Sequence, residues 1–157
     1  YKMASAGGDP QRKNFLKIVV LGEADVGKTS LLIRYTQREA PVHVKPTIGA
    51  DFQKKEVVVN NTIVTVQIWD TAGQEKYQSI GYAFYRGSDC CALCFDITRR
   101  ETFERLTKWR ESFLDHAGPN DPSTFPFVVM GNKCDKEDER QVTYDEASKW
   151  CQDYGIQ

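Results

Sequence analysis

The sequence predicts an α/β fold: a three-layer sandwich whose mostly parallel sheet carries one antiparallel hairpin strand and is covered by helices on both faces. Three observations carry that prediction. From Phe15 onward, short apolar runs alternate with amphipathic stretches of helical period, the pattern of strands joined by crossover helices. Residues 89–97 and 125–130 are nearly continuous in apolar side chains, as strands buried on both faces must be. Asn60 and Asn61 lie between the β-branched stretches 52–59 and 63–69, and both tolerate the positive φ of a tight hairpin, so that pair is antiparallel.

Taken in order, FLKIVVL (15–21) is the first strand and Lys28 to about Gln37 the first helix, with Leu31, Leu32 and Tyr35 on one side. Residues 40–50 hold Pro41, Pro46 and Gly49 and read as a loop. After the hairpin and the strand at 89–97, Thr98-Arg-Arg-Glu101 has the capping-box pattern. It opens a helix in which Phe103, Leu106, Trp109 or Arg110, Phe113 and Leu114 recur at helical spacing, and Gly118-Pro119 stops it. A second capping box, Thr143 to Glu146, opens a helix through Trp150 and Cys151. Tyr154-Gly155-Ile156 reads as the approach to a further strand.

A chain of 157 residues with 40% apolar composition supplies one core and not two, so residues 15–157 are expected to form one domain after a flexible leader at 1–14. Lys and Arg number 21 against 22 Asp and Glu. That balance steers the chain toward neither nucleic acid nor an anionic membrane, so any anion must be bound locally. No stretch approaches the roughly 20 apolar residues of a membrane span. The odd set Cys90, Cys91, Cys94, Cys134 and Cys151 argues for reduced thiols in a cytosolic setting. Cys91-Ala-Leu-Cys94 has redox or zinc spacing, but residues three apart in a strand face opposite ways, which favours plain buried thiols. His43 and His116 have no evident companions and read as loop or helix-end residues.

Three motifs carry the chemistry. Gly22-x-x-x-x-Gly27-Lys28-Thr29, between a strand and a helix, is the pattern of a phosphate-binding loop: backbone N–H groups wrap a phosphate, Lys28 reaches its oxygens, and Thr29 offers a hydroxyl to Mg²⁺. In Trp69-Asp70-Thr71-Ala72-Gly73-Gln74, Asp70 can hold Mg²⁺ through water, Gly73 can present its N–H to a γ-phosphate, and Gln74 can orient an attacking water. Asn132-Lys133-Cys134-Asp135 follows an apolar strand; Asp135 can accept the two guanine hydrogen bonds that adenine cannot donate, while the Lys133 stem lies against the purine. Singly, each has a plainer reading as a glycine turn, a strand exit or a common loop composition. Their order and separation together are specific.

These motifs resemble those of the small GTPases of the Ras superfamily, which have the P-loop NTPase fold. TIGADF (47–52), WDTAGQE (69–75) and FYRGSDCC (84–91) are similar to the Rab family, and with FPFVVMGNK (125–133) most similar to its late-endosomal and vacuolar branch, Rab seven. The resemblance implies a switch that binds GTP or GDP with Mg²⁺ and slowly hydrolyses GTP, with Gln74 and Lys28 catalytic. It places nucleotide contacts on Glu23, Ala24, Asp25, Val26, Gly27, Lys28, Thr29, Ser30, Thr47, Gly73, Asn132, Lys133 and Asp135, and metal contacts on Thr29, Thr47 and Asp70. Effector contacts fall on Ile48, Phe52, Trp69 and Phe84, although Phe52 and Trp69 can also be read as hairpin core. Exchange factors, GTPase-activating proteins and effectors of vesicle traffic are the implied partners of a monomeric, cytoplasmic protein. Membrane association, at late endosome, lysosome or vacuole, is implied only through a prenylated C-terminus, which with the final strand and helix would lie beyond Gln157. No arginine is assignable as a built-in finger; Arg86 has a structural reading. A nucleotide-weak interaction module is the alternative, and an ATP-using P-loop kinase is disfavoured by Asp135.

The chain departs from the family pattern at three places. Ala40 stands where an aromatic ring usually covers the guanine, and Val44 often where a tyrosine lies near the phosphates. Asp25 takes a place usually held by a small residue, where an anion is unfavourable unless it faces water, and Glu23 is expected to face solvent. A lost ring contact is worth roughly 1 kcal/mol. Fluorescent GDP should therefore leave this chain faster than a typical Rab, and Asp25→Gly and Ala40→Phe should each slow release by about fivefold. Unchanged release in both variants removes the expectation.

Overall fold

β1 (Phe15–Leu21), β2 (Ala50–Val59), β3 (Thr62–Thr71), β4 (Cys90–Asp96) and β5 (Phe127–Asn132) form one sheet in the order β2-β3-β1-β4-β5. The computed structural model describes residues 14–38, 44–73 and 78–156. β1 runs parallel to both neighbours and β5 parallel to β4; β2 alone is antiparallel, paired with β3 from Ala50 opposite Thr71 to Val59 opposite Thr62. The hairpin turn forms as its sequence requires, with Asn60 at φ 49° and Asn61 at φ 59°. The predicted three layers are present.

Strand alternation divides the core between the two faces of the sheet. Val19, Leu21, Cys91, Leu93 and Phe95 point one way, toward Phe103, Leu106, Trp109 and Phe113 of α3 (Arg100–Glu104) and α4 (Leu106–Ala117). Val20, Val64, Val66, Ile68 and Ala92 point the other way, toward Leu32 of α1 (Lys28–Gln37). Tyr35, expected beside Leu32, is instead 47% exposed and covered by Lys55, whose ammonium lies 3.7 Å from its ring centre. A one-sided helix needs only the stripe that Leu32 occupies.

Two local expectations are corrected. The Thr98 hydroxyl caps no helix: it and the Thr98 N–H bind Asp96 Oδ1, at 2.7 and 2.9 Å, and Arg99 occupies the N-cap without a side-chain bond. One predicted helix is two, broken at Arg105. Helix α2 (Gln78–Tyr85) has no sequence counterpart, because QSIGYAFY is built of weak helix formers and is held by packing, with Tyr85 1% exposed. After α5 (Tyr144–Asp153), the Ile156 N–H bonds Cys151 O at 2.8 Å and its side chain joins the core. The second capping box forms as expected, Thr143 Oγ1 accepting from Glu146 N at 3.1 Å, and Gly118 ends α4 at φ 57°.

Phe113 is fully buried, its ring 5.1 to 5.7 Å from those of Tyr85, Phe125 and Phe127. Phe113→Ala should cost about 3–5 kcal/mol in urea-induced unfolding, whereas Tyr144→Ala, at an 80% exposed position, should cost under about 0.5 kcal/mol.

Candidate functional site

Residues 22–27 join the C-terminal end of β1 to the N-terminus of α1, whose first N–H groups have no intrahelical partner. Gly27 caps the helix at φ 95°, and a Cβ there would lie 2.3 Å from Asn132 Nδ2. That amide donates to Val26 O at 2.7 Å, so the end of β5 is tied to the loop. Lys28 is 6% exposed, and its ammonium donates to Gly22 O at 2.9 Å and Glu23 O at 2.8 Å. Burial pushes its pKa below the usual lysine value, against the pull of the Asp70 carboxylate. Ala24, Asp25, Gly27, Lys28, Thr29, Ser30, Thr47, Gly73 and Lys133 line one cavity of about 240 Å³.

The two acids of the loop are disposed differently. Glu23 does not face solvent as expected: Trp109 Nε1 donates to its Oε1 at 2.9 Å, and Arg105 Nη1 lies 3.7 Å from Oε2, so its charge is led sideways onto α4. Asp25 is exposed, in the left-handed region at φ 61°, a conformation that aspartate tolerates better than most residues. Its carboxylate also favours the charged form of Lys28.

Three segments bring oxygens to one point. Thr29 Oγ1 donates to Asp70 Oδ2 at 2.5 Å, Thr47 Oγ1 lies 3.2 Å from the same oxygen, and the hydroxyls are 3.0 Å apart. Asp70 is 4% exposed, and its other oxygen, Oδ1, is buried without a hydrogen-bond partner among the described residues. Burial raises its pKa, while the Thr29 hydroxyl, Lys28 and Thr47 oppose the rise. An orphaned carboxylate oxygen beside two hydroxyls fits Mg²⁺, which takes oxygen ligands and keeps waters and substrate phosphates for the rest. Among the described residues no three His, Cys, Asp or Glu side chains gather as a metal site. Gly73 closes against the loop so tightly that a Cβ would lie 2.4 Å from Ala24 N.

On the base side, Lys133 adopts φ 69° and its ammonium lies 2.6 Å from Asp96 Oδ2. Asp135 is exposed in the 3₁₀ helix Cys134–Glu139 and does not line the cavity. Gln74, Ala40 and His43 lie outside the described residues. The Cys91 and Cys94 thiols are buried, and burial holds Cys91 well above the usual thiol value and Cys94 at about 12, which leaves plain core thiols rather than a redox pair. Phe52, Trp69 and Phe84 form a continuous stack, with centroids 5.0 and 4.8 Å apart, and Ile48 is 73% exposed near Thr47 in sequence. Asp96, Arg105 and Trp109 were not singled out by sequence reading. A lone carboxylate within CCALCFDI could have flagged Asp96, whereas nothing local links Glu23 to Trp109.

A phosphate-sized N–H loop with a buried ammonium, faced by an oxygen cluster drawn from two other segments, defines a P-loop nucleotide-binding protein. The chain belongs to the Ras family, whose profile matches residues 17–157. It is similar to Ras-related protein Rab-7a of Dictyostelium discoideum, 53% identical over 92% of this chain and 71% of the relative. It is likewise similar to Ras-related protein Rab7 of Drosophila melanogaster, 54% identical over 90% and 68%. Ypt/Rab-type GTPase ypt7 of Schizosaccharomyces pombe is 49% identical over 92% and 71%. As in its family, the protein binds GTP and GDP with Mg²⁺ and hydrolyses GTP.

The raised folded-state pKa of Asp70 makes its ionisation costly to the ligand-free fold. That cost is present at pH 7 and fades as pH falls through the folded pKa toward the ordinary carboxylate range. Asp70→Asn should therefore raise the Tm of nucleotide- and metal-free protein by roughly 2–5 °C at pH 7, with a smaller gain near pH 4. In the same thermal scans it should abolish the stabilisation that Mg²⁺ adds to GDP. An unchanged or lowered ligand-free Tm contradicts the assignment.

Proposed function

We propose that this chain is a guanine-nucleotide switch of endosomal and vacuolar membrane traffic, read by effectors through the loops that carry Thr47 and Gly73 and through the aromatic stack. The observation that carries the reading is the meeting of Thr47 and Gly73, from separate loops, at the phosphate loop and the Thr29–Asp70 pair. Both loops are thereby placed to respond to one added phosphate group.

In this mechanism the Lys28 ammonium exchanges its two carbonyl partners for phosphate oxygens, and the N–H groups at the start of α1 complete the cradle. Thr29, Thr47 and Asp70 would hold Mg²⁺, which would supply positive charge to offset the negative charge that develops on the phosphate oxygens. Gln74 orients the attacking water, Gly73 donates its N–H to the γ-phosphate, and loss of that phosphate frees both loops. Ser30 and the loop residues 23–27 surround the phosphates, Asn132 fixes the loop to β5, and Asp135 reads the guanine edge. Ile48, Phe52, Trp69 and Phe84 present the effector surface. Exchange factors and GTPase-activating proteins set the rates of a monomeric, cytoplasmic switch. It resides reversibly on late endosome, lysosome or vacuole; among the described residues no helix is long and apolar enough to cross a membrane.

Chromatography of nucleotide extracted from purified protein should give GDP or GTP in near-equimolar amount. ATP would point instead to a kinase, and no nucleotide to an interaction module. Gln74→Leu should retain GDP and slow single-turnover GTP hydrolysis by about tenfold or more.

A further inference from the structure

Asp96 ends β4 as a fully buried carboxylate, and the fold spends several contacts on aiming it. Its Oδ1 accepts the Thr98 N–H and hydroxyl, its own N–H bonds Thr102 Oγ1 at 3.0 Å, and the following Ile97 N–H bonds Asn132 O at 3.1 Å. The remaining oxygen, Oδ2, faces Lys133 Nζ at 2.6 Å. A buried carboxylate without a counter-charge is strongly unfavourable, and Lys133 supplies it. Burial pushes the Asp96 carboxyl up, but Lys133 and Thr98 more than offset this and hold it below the usual carboxylate range. Lys133 meanwhile occupies a left-handed conformation uncommon for a long side chain, and it lines the cavity shared with Lys28 and Thr29.

We propose that Asp96 is a positioning residue of the base-binding loop: by capturing the Lys133 ammonium it turns the lysine stem, and not its charge, toward the space where the base and ribose lie. The proposal rests on the guanine-nucleotide reading above. An ammonium anchored behind the loop leaves the methylenes of Lys133 as a flat apolar platform, suited to the face of a purine. The same anchor keeps Asn132, one residue earlier, aimed at Val26 O, so one buried carboxylate coordinates the base-reading loop with the phosphate loop.

Asp96→Asn preserves shape and the acceptor for Thr98 while removing the counter-charge. In the nucleotide-stripped full chain, amine labelling followed by mass spectrometry should show Lys133 modified roughly tenfold faster in the variant, with Lys136 as internal reference. Fluorescent GDP should leave the variant about tenfold faster, and adding Lys133→Met, which keeps a stem without charge, should restore slow release. Unchanged Lys133 labelling overturns the proposal, as does failure of the double variant to recover. Should wild type bind no GDP while labelling responds to Asp96→Asn, the nucleotide reading fails and the ion pair stands. If Asp96→Asn does not fold, wild type decides: Lys133 labelled about tenfold more slowly than Lys136 supports the anchor, and equal labelling refutes it.

Discussion

A buried ammonium must be kept charged, and much of the architecture around the site follows from that demand. Lys28 is 6% exposed and would lose its proton in an apolar pocket, yet a phosphate site needs it cationic. Two carbonyls of its own loop, those of Gly22 and Glu23, accept hydrogen bonds from the ammonium, and the Asp70 carboxylate supplies the counter-field. For those carbonyls to turn inward the loop must be tight. Tightness excludes side chains at Gly27 and Gly73, where a Cβ would press on Asn132 and on the Ala24 backbone.

The placement of negative charge follows the same logic. Glu23 gives its carbonyl to Lys28 and sends its carboxylate away to Trp109 and Arg105, so one residue serves the cradle without repelling an anion there. Asp25 faces water and supports the charge of Lys28. Asp70 keeps one oxygen without a partner among the described residues, an arrangement that weakens the ligand-free fold and suits a cation. The acids around this site are therefore compatible with phosphate binding, because Glu23 is paired, Asp25 is solvated and Asp70 has an oxygen left to suit a cation.

On the far side, Asp96 and Lys133 repeat the pattern of a buried charge facing an opposite charge, this time as an ion pair between the ends of adjacent parallel strands. Both pairs lie at the C-terminal edge of the sheet, where loops from β1, β3, β4 and β5 converge. Parallel strands place all these loop starts on one edge, which is why such sheets bind ligands there.

Much of the fold was legible from the sequence because it depends on local periodicity. The alternation in FLKIVVL, the Asn60-Asn61 turn, the Thr143 capping box and the Gly118 stop each encode their structure within a few residues. So did the phosphate loop and Asp70, whose chemistry is carried by residue type at fixed spacing. Helix α2 was not legible, since its residues favour helix weakly and Tyr85 is held by Phe113 from another element. Thr98 misled, because its hydroxyl found the buried Asp96 a better partner than a helix N–H. The sequence by itself determined which groups could meet a nucleotide. Only the tertiary structure decided where their charges point: Glu23 with Trp109, 86 residues away, and Asp96 with Lys133 are bonds between distant segments, formed when burial forces each charge to find a partner.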